Sequence, residues 1–236
     1  MGADTIWGMI LAMGLYQGLN PTMGWLAAVG RGLETRSGRA VLLSTATYAA
    51  GHYCAMAAVL LPAAVFVGLT AARPAALLPW LGVALIGFGL FKLYRPAHPR
   101  FLTRIRPNQR VRFSCLMALC HCGSPLMMLG PLASLMMLLD MTAHTGHGSA
   151  SRALRFALLA LTLPAGMGLA LLSAASLTAW IVWRRFGLTA LTRIWVNLDG
   201  LWALVFVLMG AMQLAMAAAP GAAGGMPSWI PALRSR

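Results

Sequence analysis

The sequence predicts an all-α integral membrane protein in which six transmembrane helices form a 3+3 inverted repeat, with both termini on the outer side (N-out/C-out). Three observations lead to this prediction. The 236 residues are 60% hydrophobic and only 9% charged, whereas soluble domains carry roughly a quarter charged residues. The apolar residues form long runs separated by short basic connectors. Finally, two of these runs share a proline-containing segment. We therefore expect a single membrane domain over residues 1–236.

Six apolar runs are each long enough to cross a bilayer. A span needs about 20 mostly apolar residues, because the hydrocarbon core is about 30 Å thick. The predicted spans are 5–29, 40–71, 77–94, 113–139, 153–183 and 194–218. The second and fifth runs are long for single spans. They contain Pro62 and Pro164, where we expect a kink or an early end of the helix.

The distribution of basic residues predicts the orientation. The connectors around 30–39, 92–112 and 184–193 lie on one side of a six-span bundle and carry thirteen of the eighteen Lys and Arg residues. By the positive-inside rule that side is cytoplasmic. The basic loop 95–112 separates half-repeats of about 1–95 and 113–219, and a short tail, 220–236, follows.

A short segment recurs in the first span of each half. Asn20-Pro21 and Ser124-Pro125 are each followed two residues later by a methionine. Proline removes a backbone donor, so each segment predicts a helix break. Three spans per half give two halves inserted in opposite orientations. This pattern is typical of transporters, in which broken helices mark a binding site near the midplane.

A histidine in the second span is the first candidate binding residue. His52 and Met56 are four residues apart and share a helix face, whereas Cys54 points roughly the other way. Imidazole together with thioether suits a soft or borderline transition metal. The alternative is a histidine that only forms a hydrogen bond across helices.

Three potential metal ligands come just before the second predicted break. They are Cys120, His121 and Cys122, and Cys115 lies seven residues before Cys122 on the same face. Consecutive helical residues diverge by about 100°, so the three can bind one ion only where the helix unwinds. Thiolates favour Cu(I), zinc or similar ions. Buried cysteine as a small packing residue is the alternative.

Asp199 and Asn197 lie near the cytoplasmic end of the last predicted span. An ionisable group inside a membrane is a functional hypothesis by default, and Asp199 is a candidate for carrying a coupling proton. Pairing with a nearby arginine such as Arg193 is the alternative. The sixteen methionines fit a copper pathway, although methionine is also a general packing residue in apolar cores.

The composition argues against several classes of function. The net charge of +14 is spread over connectors without a basic stripe, so nucleic acid is not an expected partner. With four acidic residues in total and no hydrolase or phosphate-loop motif, we do not expect an enzyme. No resident cofactor is expected beyond a transported metal ion. The expected partner is the lipid bilayer, and a homo-oligomer or a larger membrane complex stays open.

Four segments carry a resemblance to a known family: 19–25, 50–54, 81–93 and 122–125. On these segments the chain resembles the lysine-exporter superfamily of small bacterial inner-membrane transporters, most closely the nickel/cobalt branch. The early His and Asp that serve nickel in that branch are replaced here by Asn20, Pro21 and Met23. The resemblance implies a multi-pass protein of the bacterial inner membrane, in which the orientation predicted from the basic residues places both termini in the periplasm.

The leading hypothesis is a transporter of a transition-metal cation such as copper, nickel or cobalt. Its path is expected to run nearest to His52 and the cluster from Cys120 to Cys122. A transmembrane thiol or electron carrier is the second hypothesis, although such relatives need a cysteine in each half's first span and 5–29 has none. The third is an accessory or assembly subunit of a larger membrane complex.

Overall fold

A computed structural model describes residues 2–20, 23–70, 72–94, 110–121, 123–142, 148–187 and 198–218. Within these ranges the chain is helical and has no strand, as predicted. The α-helices are α1 Ala3–Leu19, α2 Trp25–Thr35, α3 Gly38–Leu69, α4 Leu78–Tyr94, α5 Arg110–Leu116, α6 Ser124–Thr142, α7 Ser149–Ile181 and α8 Leu198–Ala218. A 3₁₀ turn, Pro74–Leu77, precedes α4, and π-helical turns, Met117–His121 and Val182–Phe186, extend α5 and α7.

Four helical segments are long and apolar enough to cross a membrane. They are Gly38–Leu69, Pro74–Tyr94, Ser124–Thr142 and Ser149–Phe186. Two further helical segments are shorter than these four. Helix α1 has 17 residues, and the apolar part of α8 covers Ala203–Ala218. Large apolar side chains such as Trp80, 72% exposed, cover the outside of the bundle. Such a surface suits lipid rather than water.

The first predicted span, 5–29, is divided into two helices. α1 ends at Leu19, Asn20 has an extended backbone, and α2 begins at Trp25 after Gly24. The prediction of a break at Asn20 is confirmed, while Pro21 lies outside the described residues. Gly24 has φ +102°, a conformation that L-residues with a side chain rarely adopt. The glycine therefore lets the chain turn into α2.

The second break is displaced from its predicted position. The π-helical turn ends at His121, Gly123 has φ +55°, and Ser124 and Pro125 are the first two residues of α6. The prediction of a break at Ser124-Pro125 was therefore wrong by one or two residues. Proline is accepted in the first turn of a helix, since an N–H there would have no intrahelical partner.

The internal prolines do not end their helices. α3 continues through Pro62 and α7 through Pro164, so neither helix ends early there, and the kink that was the other expectation stays a prediction. α6 likewise continues through Pro131. In an apolar medium neighbouring helices and local adjustments can satisfy the freed carbonyl, which makes such prolines tolerable.

The largest contacts between helices involve α3, α4, α7 and α8. α3 packs against α7 and α4 against α8, while α1 lies on α7 and α5 lies on α3. Glycines occupy these contacts: a methyl group added at Gly18 of α1 would lie 2.7 Å from Cβ of Ala174, and one added at Gly210 would lie 2.6 Å from the carbonyl oxygen of Gly82. Small residues let membrane helices approach closely, and dispersion contacts then stabilise the pair.

Candidate functional site

Helix α3 buries His52 in the bundle. Its side chain is 2% exposed, and neither Nδ1 nor Nε2 has a hydrogen-bond partner among the residues that the structure describes. Met56, one turn later, is fully buried, whereas Cys54 is exposed on the other side of the helix. The burial of His52 and Met56 and the exposure of Cys54 agree with the predicted common face of His52 and Met56. Because buried polar groups are nearly always hydrogen-bonded, His52 stays a candidate for binding a ligand.

The first break contacts α3 one turn before His52. Gly24 lies on the ring of Tyr48, so close that an added methyl group would be 2.6 Å from Tyr48 Cγ. Across the break, the indole nitrogen of Trp25 donates to the carbonyl of Leu19 at 3.1 Å. This bond satisfies one of the carbonyls left without a partner at the end of α1. The hydrogen bond across the break and the contact of Gly24 with Tyr48 therefore hold this segment against α3.

The segment leading to the second break contacts α3 at the same level. The hydroxyl of Ser114 on α5 donates to the backbone carbonyl of Tyr48. The Phe113 ring packs edge-on against the Tyr48 ring, with centroids 6.0 Å apart. Gly51 lies directly against the Val111 carbonyl, where a methyl group would collide. Both broken segments thus contact α3 at Tyr48, one turn before His52.

A methionine-rich core begins one turn from His52. It contains seven methionines, each at most 9% exposed, from α1, the first break, α3, α6 and α7. These are Met13, Met23, Met56, Met127, Met128, Met136 and Met167. Phe206 and Leu85 belong to the same cluster, so α8 and α4 also contribute. The interior therefore combines apolar packing with a high local concentration of thioether sulfur.

Two buried glutamines were missed by the sequence reasoning. Gln17 is 0% and Gln213 1% exposed, and within the described part of the chain neither amide has a hydrogen-bond partner at its oxygen or its nitrogen. Gln213 lines a cleft between α1, α6 and α8, together with Met9, Met212 and Met216. The available signal was a polar amide inside an apolar run, which is as unusual as a histidine there.

The cysteine cluster is only partly described. Cys115 is half-buried on α5, and Cys120 and His121 end the π-helical turn, with side chains that are not described. Cys122 lies outside the described residues. A π-helical turn is a departure from the α-helix that is frequent at functional sites, and the backbone of Cys120 and His121 lies in such a turn.

The predicted acidic site is also only partly described. Asp199 occupies the first turn of α8, but its side chain is not described, and Asn197 lies outside the described ranges. Asp140 pairs with Arg152, and Glu34 pairs with Arg31 at the surface. Among the described side chains no three His, Cys, Asp or Glu residues are grouped closely enough to hold a metal.

These features define a helical protein with membrane-length helices and an imidazole buried on α3, one turn after Tyr48, which both broken segments contact. Comparison with known protein families, with curated proteins and with solved structures gives no match to the chain.

Proposed function

We propose that this protein is a small transporter of a soft or borderline transition-metal cation in the bacterial inner membrane. The observation that carries the proposal is His52, a buried imidazole whose two nitrogens have no hydrogen-bond partner among the described residues. It lies one turn from the buried Met56 and one turn from Tyr48, which both broken segments contact. A polar group in such an interior is costly and is expected to serve a function. Imidazole and thioether together suit a transition metal.

The proposed scaffold has six spans in two inverted halves. If α1 corresponds to α5, α3 to α7 and α4 to α8, then the contact of α1 with α7 has its counterpart in that of α5 with α3. The same exchange turns the α3–α7 pair into α7–α3 and the α4–α8 pair into α8–α4, so these two contacts stay the same. A glycine with positive φ, Gly24 or Gly123, precedes the helix after each break. These correspondences support an inverted repeat and membership of the lysine-exporter superfamily.

The proposed orientation places both termini in the periplasm. It rests on the excess of Lys and Arg in alternate connectors, which marks the cytoplasmic side. A reporter enzyme that is active only in the periplasm, fused after residue 236, should be active. The same reporter fused within 95–109 should be inactive. The reverse result would contradict the orientation without affecting the choice of cargo.

Metal accumulation in cells tests the transport function. Cells expressing the protein are compared with empty-vector cells for copper, silver, nickel and cobalt content by mass spectrometry. We expect the content of at least one metal to change, and the change to be lost with His52→Ala. Cys54→Ala is the matched control, because Cys54 is two residues away but exposed on the opposite side of α3. Equal metal contents in expressing and empty-vector cells would sink the proposal.

A further inference from the structure

The interior lacks an anionic group to balance a metal ion, as far as its side chains are described. Asp4 is exposed, Asp140 is paired with Arg152 and Glu34 is at the surface. The Born cost of moving an ion into a low-dielectric medium grows with the square of its charge, so a divalent ion costs about four times as much as a monovalent one of equal radius. This interior therefore favours a single positive charge.

The donors that the interior does offer are neutral and soft. Seven buried methionine thioethers surround the bundle centre, and the imidazole of His52 lies one turn from Met56. Thioether ligands select Cu(I) over the harder divalent ions, which prefer oxygen and nitrogen donors. Ag(I) has the same charge and the same preference for sulfur. Charge and donor type thus point to the same class of cation.

A cleft between α1, α6 and α8 has the same chemistry. Met9, Met212 and Met216 line it together with Gln213, whose buried amide has no hydrogen-bond partner among the described residues. The Gln213 amide packs against Gly130, where an added methyl group would collide with it. A buried amide without hydrogen-bond partners is costly, so an ion that reached it from the cleft would offset this cost.

Helix α6 connects the cleft with the methionine core. Pro131 lines the cleft and has no N–H, so the carbonyl of Met127, one turn earlier, lacks its usual helical donor. Met127 and Met128 are fully buried in the core cluster that also contains Met56. An ion leaving the cleft along α6 would thus find a freed carbonyl and two thioethers before it reached His52.

We propose that the cargo is a monovalent thiophilic cation, Cu(I) or Ag(I), and that the cleft of Met9, Met212, Met216 and Gln213 is its binding site on the side of the chain termini. This inference rests on the transport function proposed above. The ion exchanges one neutral ligand for another along the path, so neither its charge nor its oxidation state changes.

Silver binding to the purified full-length chain tests the cleft. Ag⁺ is the probe because it is not oxidised in air. Binding is measured by equilibrium dialysis in detergent on a chain whose four cysteines are replaced by serine, because thiolates bind Ag⁺ more tightly than thioethers. We expect a Met9→Leu/Met212→Leu/Met216→Leu variant of this cysteine-free chain to bind Ag⁺ about tenfold or more weakly than its parent. Met141→Leu, at an exposed position at the end of α6, is the matched control and should bind normally. Unchanged affinity in the triple variant would overturn the cleft assignment.

A sulfur rescue separates loss of ligands from loss of folding. Met212→Cys keeps a soft donor, whereas Met212→Leu keeps the approximate volume but removes the sulfur. We expect the Met212→Cys variant to bind Ag⁺ with nearly the affinity of its parent. The Met212→Leu variant should bind Ag⁺ more weakly, because it has lost the sulfur. Equal weakening in both variants would mean that packing, and not coordination, is what Met212 provides, and the inference would fall.

The cellular experiment distinguishes the two proposals. A His52-dependent change in copper or silver content, without one in nickel or cobalt, supports both. A His52-dependent change confined to nickel or cobalt leaves the transport function standing and overturns the monovalent assignment. No change in any of the four metals removes the transport function itself. Ni²⁺ binding to the purified chain that is tighter than Ag⁺ binding would also overturn the assignment.

Discussion

Arg152 holds Asp140 through two parallel contacts, with Nη2 2.7 Å from Oδ2 and Nε 3.0 Å from Oδ1. The same guanidinium donates to the carbonyls of Val67 at 3.0 Å and Ala72 at 2.9 Å. It also lies over the ring of Phe156, 4.9 Å from its centroid. One side chain thus joins the end of α3 and the end of α6 to the start of α7. Asp140 is therefore a structural partner of Arg152 and not an available metal ligand.

Removing the charge of Asp140 should destabilise the bundle. Both side chains are less than a third exposed, at 17% and 28%, and hydrogen bonds to charged groups contribute about 1.5–3 kcal/mol. We expect Asp140→Asn to lower the free energy of unfolding by an amount in this range and to lower the midpoint of thermal unfolding in detergent. Glu34→Gln is the control, since its pair with Arg31 is 69% and 49% exposed and should matter little. Equal shifts for the two variants would contradict this.

The fold was predictable where long apolar runs set helix length. The run 77–94 nearly coincides with α4, Leu78–Tyr94, because hydrophobicity ends where the helix ends. The second break was misplaced because proline disrupts a helix interior but not a first turn. Sequence alone does not distinguish these positions at Pro125. The contact between Arg152 and Asp140 depends on how three helix ends converge, which local pattern does not encode.

The candidate site was predictable only in part. The spacing of His52 and Met56 predicts that the two residues share a helix face, because helical periodicity alone determines this. The position of both broken segments against Tyr48 could not be predicted, because it depends on contacts between α2, α3 and α5. Gln17 and Gln213 were not predicted, because an amide neither titrates nor binds metals strongly. Their position inside apolar runs was the available signal, whereas the lack of hydrogen-bond partners among the described residues depends on how the helices pack.

The contact of α5 with α3 depends on the absence of a side chain at Gly51. A methyl group there would collide with the Val111 carbonyl and lie 2.8 Å from Cβ of Ser114. We expect Gly51→Ala to push α5 away from α3, to lower the unfolding midpoint and to weaken the metal phenotype along with it. Gly87→Ala is the matched control, because nothing lies within 4 Å of an added methyl group. If both alanine variants behave alike in thermal unfolding, the close approach at Gly51 is not required.

A hydroxyl pair joins the two longest helices. Thr45 of α3 and Ser176 of α7 share a hydrogen bond of 3.0 Å, and Thr45 is 1% exposed. Hydrogen bonds between membrane helices contribute about 0.6 kcal/mol on average and up to about 1.7 kcal/mol. We expect Thr45→Val to reduce stability by about this amount. Thr47→Val should have a smaller effect, because the exposed Thr47 hydroxyl bonds only to Leu43 of its own helix. Unfolding of both variants in detergent, compared with the unaltered chain, measures the difference.

Gly24 should be the least replaceable residue of the first break, for two separable reasons. Its φ of +102° costs a residue with a side chain about 1–3 kcal/mol in strain, and an added methyl group would lie 2.6 Å from Tyr48 Cγ. We expect Gly24→Ala to destabilise the protein, whereas Gly30→Ala, with nothing within 4 Å, should be neutral or slightly stabilising. A double-mutant cycle with Tyr48→Ala separates the causes, because alanine has no Cγ and so relieves the collision but not the backbone strain. A coupling energy near zero would assign the whole effect to backbone conformation. Equal stability of the two alanine variants would show that neither constraint operates at the break.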